Sequence, residues 1–436
     1  MPPPAPRARL ARVTTTRETN WAGNLTYAAR AVESPASLDE LRDLVVATPR
    51  LRPLGTRHSF SDVADGHADA VLVSTHRLPQ HVDVADGRRT ATVPAGATYA
   101  AVATALEAEG LALANTGSLP HISVGGATAT GTHGSGLGLG SLSTAVAALE
   151  VVGADGEVRR VARGDADHAG SVLALGALGV VVRVELDVQP SYRMRQDTYE
   201  DLPWQGVDDA LEEVFAAGYS VSLFHEFDAT VREVLVKSRV PEGQADVAVP
   251  DDLFGATRRR VAEHDGLGGD DGAVPGHMTP MDGTVGAWPD RLPHFRIDAT
   301  PSVGSELQSE HFVPLADGAA ALTALRALGA DLRPHLHTCE TRVVAGDDLW
   351  LSPTPVDSLA IAFTWRDHPV EVAALVARVE RALAPWGARP HWGKLTSLTT
   401  AERAELFPRL GDFAGLVART DPGGRFRGPF LERLLG

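Results

Sequence analysis

The densest chemical signal in the sequence is the stretch from Gly117 to Gly136, in which glycines alternate with small hydroxyl residues. Glycine permits positive φ and close backbone approach, so successive amide N–H groups can converge on a phosphate, with Ser and Thr hydroxyls beside them. The stretch fits neither GxGxxG nor GxxxxGKS/T, which disfavours a nicotinamide-binding Rossmann turn and a P-loop. It therefore indicates a diphosphate ligand held in another way; the alternative is a glycine-rich surface loop.

A second candidate segment, PLGTRHSF, runs from Pro53 to Phe60 and turns at Gly55 into a polar run. Arg57 could pair with a phosphate. His58 is a candidate nucleophile, because imidazole forms a stable bond to carbon when it is held against an electrophilic centre such as the 8α carbon of a flavin. A histidine in a loop is more often simply solvated or hydrogen-bonded. His58 is a candidate nucleophile only because the glycine-rich stretch also indicates a bound diphosphate ligand.

Charged and polar residues in the last third of the chain could act on a hydroxyl group. Glu340 and Arg342 are two apart on a predicted strand, so their side chains share one face. A guanidinium beside a reacting hydroxyl would stabilise developing alkoxide charge, and a paired carboxylate would orient it. Lys394 could favour an anionic reduced flavin or a deprotonated alcohol, while Thr364 and Gln308 would add neutral hydrogen bonds. An ordinary ion pair on one strand face is the alternative.

His335, His337 and Cys339 form a competing constellation, because they alternate along one predicted strand and would then share a face. Such a group could ligate zinc or copper. Its spacing lacks the turn of the usual zinc knuckles, and no fourth ligand stands nearby in the sequence. The sequence therefore predicts no metal site.

Charge and composition exclude several function classes. The 436 residues include 40 basic and 56 acidic side chains, and the formal net charge of −16 would repel nucleic acid and anionic lipid surfaces. The longest uncharged apolar stretch, from Val172 to Val182, is too short to cross a bilayer. The N-terminus has no signal-peptide pattern, and a single cysteine suits a reducing compartment. We therefore expect a cytoplasmic protein with a flexible segment at residues 1–16 and no nucleic-acid or membrane partner.

The elements that must position these residues follow from periodicity and turn signals. The chain is long enough for two domains. Strands and helices alternate as far as Pro190, with a hairpin turn at residues 154–156. Beyond this point the pattern is that of an α+β domain, with an amphipathic helix at residues 204–217 and a strand at residues 220–227. The Gly/Asp/Pro-rich stretch 263–290 is predicted as a surface excursion that buries little.

Together, the motifs resemble those of the vanillyl-alcohol-oxidase-type FAD proteins, and within them the alditol oxidases and aldonolactone oxidoreductases. The similarity rests on GTRHSF around His58 and SLPHISVGGATATGTHGSG from Ser118, and it continues in LQSEHFVP, ETR, FTW and HWGK further along the chain. The resemblance implies an α+β, two-domain FAD-binding fold of the vanillyl-alcohol oxidase type with an α+β substrate cap domain. We expect an FAD-binding domain at 17–190, a cap domain at 191–380 and a C-terminal segment, 381–436, that returns to the FAD domain.

The resemblance also assigns residues. It carries the family's flavin-linking histidine onto His58 and implies a single covalent bond, because the cysteine of doubly attached members is absent near Ser118. Glu340, Arg342 and Lys394 are implied as catalytic residues. The substrate would contact Ser118, Gln308, Glu340, Arg342, Thr364 and Lys394. The FAD would be held by Pro53, Leu54, Gly55, Thr56, Arg57, His58, Ser59, Gly117, Ser118, Ser123, Gly126, Thr130, Gly131, Thr132, His133 and Val181.

The implied reaction oxidises a primary hydroxyl of a small polyol to an aldose by hydride transfer to flavin N5, and dioxygen is then reduced to hydrogen peroxide. By resemblance, Gly117 lies beside the flavin edge that dioxygen approaches, and its missing Cβ favours an oxidase over a dehydrogenase. Ala362 departs from the alditol oxidase pattern, which has a histidine there, so one polar contact to substrate is absent. Oxidation of an aldono-1,4-lactone is the nearest alternative, and a flavin- or metal-binding protein without turnover is the alternative outside enzymes. We expect a monomer.

Overall fold

The structure is a computed structural model that describes residues 18–259, 276–299 and 306–436. The predicted flexible segment at residues 1–16 and the first part of the predicted surface excursion, residues 263–275, lie outside the described residues. Within the described ranges, no helix combines the length and the apolar character that a membrane crossing requires.

Helices and strands alternate along the described chain. The helices are α1 Leu38–Ala47, α2 Tyr99–Ala108, α3 Val124–Thr130, α4 His168–Ser171, α5 Trp204–Ala216, α6 Gly318–Arg326, α7 Gly329–Leu332, α8 Pro369–Leu383, α9 Thr400–Leu406, α10 Leu410–Thr420 and α11 Pro429–Leu435. The strands are β1 Ala31–Glu33, β2 Leu51–Pro53, β3 Val71–Val73, β4 Asp83–Val84, β5 Thr90–Pro94, β6 Leu111–Ala112, β7 Val146–Val152, β8 Val158–Ala162, β9 Val180–Asp187, β10 Gln189–Pro190, β11 Arg193–Pro203, β12 Ser220–His225, β13 Thr230–Val240, β14 Asp252–Leu253, β15 Ala256–Arg258, β16 Gly286–Ala287, β17 Glu306–Pro314, β18 Leu336–Val344, β19 Ser358–Arg366 and β20 Arg389–Pro390.

Two main sheets organise the N-terminal half. Strands β1, β3 and β2 form a parallel sheet, while β4, β5, β9, β7 and β8 form an antiparallel one. Burial alternates residue by residue along β9, as expected for a strand with one face on a core. Because β7 and β8 pair directly on either side of residues 154–156, the predicted hairpin is confirmed.

The second half of the chain is built on one long antiparallel sheet, in the order β14-β15-β11-β13-β12-β18-β19-β17-β20. We call this sheet, together with α5 to α8, the cap. Helices α5, α6 and α8 cover one face, where Leu223, Ile361 and Phe363 belong to a buried apolar core. Since strand neighbours alternate, the other face of β17, β18 and β19 carries the intervening polar residues, and it faces the N-terminal half across a cavity.

The chain after α8 packs back onto the N-terminal half. Phe413 of α10 and Leu431 of α11 lie in the same apolar core as Val93 of β5. Arg52, which is 1% exposed, ties these segments together by donating to the carbonyl of Val63 as well as to the carbonyl of Phe426. It also donates to the carbonyls of Leu175 and Gly176. The N-terminal core is therefore assembled from segments that are distant along the chain.

The prediction that residues 263–290 form a surface excursion that buries little is wrong for residues 276–290, the part that the structure describes. Within residues 276–290, β16 pairs with β11, and Trp288 is fully buried, with its indole N–H donating to the carbonyl of Leu111 at 3.2 Å. A single large aromatic side chain buries enough surface to anchor a segment of otherwise turn-forming composition. The stretch therefore packs against the cap sheet and the N-terminal core.

Candidate active site

A cavity of about 790 Å³ lies between the loops of the N-terminal half and the polar face of the cap sheet. Almost all residues that the sequence assigns to a site line it. They are Pro53, Leu54, Gly55, Thr56, Arg57, His58, Ser59, Gly117, Ser118, Ser123, Gly126, Thr130, Thr132, His133, Val181, Gln308, Glu340, Arg342, Thr364 and Lys394. Gly131 does not line the cavity; it ends α3 with a φ of +76°, a left-handed backbone that favours glycine.

The two glycine-containing loops approach each other at backbone distance. A Cβ on Gly55 would lie 2.6 Å from Ser123 Oγ and 3.4 Å from Gly126 Cα, so the approach requires glycine at position 55. Thr56 Oγ1 accepts from the Ser123 amide at 3.1 Å, which fixes one loop to the other. The buried Ser123 hydroxyl has no hydrogen-bond partner among the described residues. Since buried polar atoms are almost always satisfied, this hydroxyl indicates a polar ligand beside the glycines.

His58 is held by a turn near the N-terminal end of the described chain. The Trp21 ring stacks on the imidazole with 5.4 Å between ring centroids, and the Trp21 amide donates to the Arg57 carbonyl at 2.8 Å. Thr56 Oγ1 lies 3.1 Å from His58 Nδ1. Burial, together with the charge of Lys394, lowers the pKa of His58 to about 4, so the imidazole is neutral at neutral pH. A neutral ring is the form in which an imidazole nitrogen is nucleophilic.

The Arg57 side chain lines the cavity and also has a protein partner. Its guanidinium pairs with Glu18, and its backbone has a φ of +69°, which is uncommon for a residue with a Cβ. The contacts to Glu18 and Trp21 hold this conformation. In this arrangement Arg57 shapes the loop that carries His58.

The polar face of the cap sheet presents an ordered row of side chains. In the strand register, Ala362 of β19 lies opposite Glu310 of β17 on one side and Glu340 of β18 on the other. Arg342 lies two residues beyond Glu340 on the same face, and both line the cavity, as the alternation predicts. Ala362 therefore leaves space between two carboxylates.

Arg342 pairs more closely with Glu310 than with the predicted partner, Glu340. Its Nη2 is 3.0 Å from Glu310 Oε1, whereas its Nε is 3.5 Å from Glu340 Oε1. Nη1 donates to Ser118 Oγ at 3.1 Å, so the guanidinium bridges the cap and the glycine-rich loop. His133 also contacts Glu310 Oε1, at 2.9 Å. The predicted ion pair exists, but Glu310, which the sequence reasoning missed, is the nearer anion.

The electrostatics of the site keep both carboxylates ionised. Burial alone would raise the pKa of Glu310, but His133 and Arg342 outweigh it and hold that pKa well below its usual range. For Glu340, burial likewise acts to raise the pKa, and the charge of Arg342 together with the hydrogen bond from His294 lowers it to about 2. The pKa of Arg342 is raised, because the two carboxylates outweigh the effect of burial. The site therefore holds two anions around one permanent cation.

Lys394 adds a second cation to the cavity. Its ammonium group contacts Gln308 Oε1 and lies 5.0 Å from the centre of the Phe60 ring. The turn that precedes it is closed by a 3.1 Å hydrogen bond from the Lys394 amide to the His391 carbonyl. Burial lowers the pKa of Lys394, so the neutral amine form, which can accept a proton, is more accessible than in an exposed lysine. Thr364 lies opposite Gln308 in the strand register and completes this end of the cavity.

Further polar residues of the site were not predicted. His294 and Glu340 contact each other at 2.8 Å, and the buried Lys237 lies behind His294. Thr338, which shares the cavity-facing side of β18 with Glu340, has a buried hydroxyl with no partner among the described residues. Glu310 lies two residues from Gln308, and Thr338 lies two residues from Glu340, so the alternation of side chains along a strand would have predicted both in the site. His294 and Lys237 gave no such signal.

The alternative metal site of His335, His337 and Cys339 is not formed, because the three side chains do not point to one common space. Cys339 is buried in the cap core while His337 is exposed, and His335 lies in the turn before β18, 2.9 Å from His368. The strand register shifts between residues 336 and 338, so the prediction that the three side chains share a face is wrong. Among the residues that the structure describes, no group of three or more His, Cys, Asp or Glu side chains is arranged to hold a metal ion.

Two family models match parts of this chain, and two relatives match it along nearly its whole length. Residues 29–162 match the family model of an FAD binding domain, and residues 300–434 match that of D-arabinono-1,4-lactone oxidase. An alditol oxidase from a Streptomyces species is 42% identical over 427 residues, covering 96% of this chain and 99% of the relative. An L-gulono-1,4-lactone dehydrogenase from Mycobacterium tuberculosis is 27% identical over 96% of this chain and 98% of its own.

Among solved structures, the crystal structure of cholesterol oxidase from B. sterolicum superposes with a TM-score of 0.78 at 16% identity, over 100% of both chains. This similarity concerns the fold, and the predicted α+β, two-domain FAD-binding fold of the vanillyl-alcohol oxidase type is confirmed. Since the 42% identity extends along nearly the whole chain, the protein belongs to the family of FAD-dependent oxidoreductases that contains the Streptomyces alditol oxidase.

Proposed function

We propose that this protein is an FAD-dependent alditol oxidase, which oxidises a primary hydroxyl of a small polyol to an aldose and transfers the electrons to dioxygen, forming hydrogen peroxide. The observation that carries the proposal is the shared cavity: Glu340, Arg342 and Lys394 of the polar sheet face line the same space as the two glycine-containing loops. The identity of 42% to an alditol oxidase supports the substrate class.

The two loops would hold the FAD. The backbone approach at Gly55 and the unpartnered Ser123 hydroxyl fit a diphosphate, which accepts hydrogen bonds and needs close backbone contact. When bound there, FAD supplies the hydride acceptor and the route of electrons to dioxygen. The volume that remains next to β17, β18 and β19 would hold the polyol.

The charged side chains would act on the reacting hydroxyl. Arg342 stays protonated and, held by two carboxylates, offers a fixed positive charge to the developing alkoxide in a site where charge interactions are strong. Glu340, with a pKa of about 2, is a weak base, so it would accept a hydrogen bond from the polyol without taking its proton. Lys394 Nζ, whose pKa burial lowers, is the better acceptor for that proton.

A single covalent bond between His58 and the flavin is part of the proposal. It is supported by the neutral imidazole, which the Trp21 ring and the Thr56 hydroxyl hold at the cavity wall. After acid precipitation of the holoprotein, the flavin should stay in the pellet of wild type and appear in the supernatant of His58→Ala. His76→Ala is the matched control, because His76 also lines the cavity and should keep the flavin. Complete release from wild type would rule out the bond.

The substrate class is tested by anaerobic mixing of the holoprotein with xylitol, sorbitol, aldono-1,4-lactones and simple alcohols. Bleaching of the flavin by alditols, followed by peroxide formation in air, is the expected result. Arg342→Ala and Lys394→Ala should slow the bleaching by about 10²-fold or more, since the first removes a preorganised charge and the second removes the proton acceptor. A wild-type flavin that no polyol bleaches would overturn the proposal.

Oxidation of an aldono-1,4-lactone is the second candidate. It is favoured by the match of residues 300–434 to the D-arabinono-1,4-lactone oxidase family and by Ala362, whose methyl group removes a polar contact from the substrate end. In that case lactones would bleach the flavin and alditols would not.

We also propose a cytoplasmic location. The only cysteine of the chain, Cys339, is buried in the cap core, so no disulfide supports the fold. Fractionation of cells of the source organism with an antibody against the protein would test this, and recovery outside the cytoplasmic fraction would contradict it.

A further inference from the structure

The cap contains a buried lysine beside the proposed active site. Lys237 on β13 is 2% exposed, and its ammonium group donates to the Leu292 carbonyl at 2.5 Å. Burying an ammonium group is unfavourable unless its surroundings compensate for the lost hydration. The chain has only two lysines among its 40 basic residues, and the other, Lys394, lines the same site. Lys237 itself does not line the cavity, and it takes no direct part in the proposed reaction.

Lys237 is connected to the cavity through His294. The lysine Nζ lies 3.3 Å from His294 Nδ1, and His294 Nε2 lies 2.8 Å from Glu340 Oε1. A protonated lysine is only a donor, so Nδ1 must accept from it, and the imidazole proton then resides on Nε2 and points at the carboxylate. Lys237 therefore fixes the tautomer in which His294 donates to Glu340.

The backbone of His294 is anchored at the other side of the site. Its amide donates to the Ser118 carbonyl at 3.1 Å, and the Phe295 amide donates to the same carbonyl. The His294 hydrogen bond and the 3.5 Å ion pair with Arg342 both fall on Oε1 of Glu340, so a hydrogen-bond donor and a cation from different segments set the orientation of this carboxylate.

We propose that His294, held by Lys237, is a positioning residue that orients the ionised Glu340 carboxylate toward the substrate hydroxyl. This inference rests on the proposed function. It goes beyond the family match, because neither residue lies in the segments that match the two family models.

The inference has a pH signature. The titratable groups that face Lys237 are the neutral His294 and the charged Glu340 and Arg342, while its cross-strand neighbours Gln196 and Ser220 are uncharged. Burial lowers the pKa of Lys237 to about 7, so the ammonium charge is present below neutral pH and lost above it. An effect of the lysine on flavin reduction should follow the same pH range, whereas a purely structural effect should not.

The kinetic test compares anaerobic flavin reduction by the best polyol in the wild-type holoenzyme, Lys237→Met, His294→Leu and His294→Gln. His294→Leu should slow reduction by about 10–100-fold at saturating substrate, since a misplaced catalytic group has effects of this size. His294→Gln should recover much of the loss, because its amide can still donate to Glu340. The ratio of wild-type to Lys237→Met rates should be larger at pH 6 than at pH 8.5. Equal rates in all variants, or a ratio independent of pH, would overturn the inference.

A second measurement does not depend on turnover. Labelling the holoprotein with lysine that carries ¹³C at Cε should give two signals, and Lys237→Met assigns them. The Lys237 signal should titrate near neutral pH, and the midpoint should shift in His294→Leu. A midpoint at the ordinary pKa of lysine, unchanged in His294→Leu, would overturn the inference. If no polyol or lactone reduces the wild-type flavin, the proposed function fails, and this titration still decides whether Lys237 and His294 act as one unit.

Discussion

Glu310 offers the sharpest test of how the buried charges of the site depend on one another. The residue is 2% exposed, and its Oε1 accepts from both His133 and Arg342. Glu310→Gln keeps the shape but removes the charge and replaces one acceptor oxygen by a donor. Loss of one partner of a buried pair costs about 3–5 kcal/mol. Because Glu340 remains 3.5 Å from Arg342 and compensates part of the loss, we expect about 3 kcal/mol less free energy of unfolding.

The same substitution should affect the reaction. Without Glu310, the guanidinium of Arg342 loses its nearest anion and moves toward Glu340, away from Ser118 Oγ. A displacement of about 1 Å at a catalytic group lowers rates by about 10²-fold, so flavin reduction in anaerobic stopped flow should slow by that order. The control is Glu157→Gln, which removes an exposed ion pair with Arg42 worth about 0–1 kcal/mol. Equal denaturation midpoints and equal reduction rates in the two variants would refute the reasoning.

Three further predictions concern oxygen access, substrate affinity and acid stability. A Cβ at position 117 would lie 3.3 Å from Thr132 Cγ2, so Gly117→Ala should fill the gap and slow reoxidation by dioxygen several-fold while substrate reduction persists; unchanged reoxidation in stopped flow would contradict this. Ala362→His should lower the KM for xylitol by about 2- to 13-fold, the equivalent of one net hydrogen bond of about 0.5–1.5 kcal/mol, and a raised KM would count against it. Burial lowers the pKa of His225 from 6.5 to about 3. Below pH 6.5 the unfolded chain therefore binds a proton that the folded chain does not, and the free energy of unfolding decreases as the pH is lowered. His225→Phe should remove about 1.4 kcal/mol of this loss per pH unit between pH 6.5 and 4.5, measured by denaturation at several pH values; an unchanged slope would exclude His225 as its source.

The sequence predicted the loops and the polar strand face because these depend on local rules. The glycines of the two loops, His58 and the pair Glu340 and Arg342 are recognisable from residue type and alternation alone. Glu310 lies two residues after Gln308 on the same strand, so the alternation could have predicted that its side chain also faces the cavity.

Other parts of the site depend on which side chains the fold buries, and no local pattern shows that. Lys237 lies on a strand where a lysine is usually exposed, and it meets His294 only because the segment around Trp288 folds against the cap sheet. The Gly/Asp/Pro-rich composition of residues 263–290 predicted the opposite. The register shift in β18, which separates His337 from Cys339, is likewise set by tertiary packing.

The hydrogen bonds of Arg52 have a consequence for how the protein is made. Three of its carbonyl partners, on Val63, Leu175 and Gly176, leave the ribosome early, but the fourth, on Phe426, follows about 250 residues later. At translation rates of about 5–20 residues per second, the N-terminal half waits roughly 10–50 s for this contact. During synthesis its core is therefore incomplete and open to chaperones and proteases until almost the whole described chain has emerged.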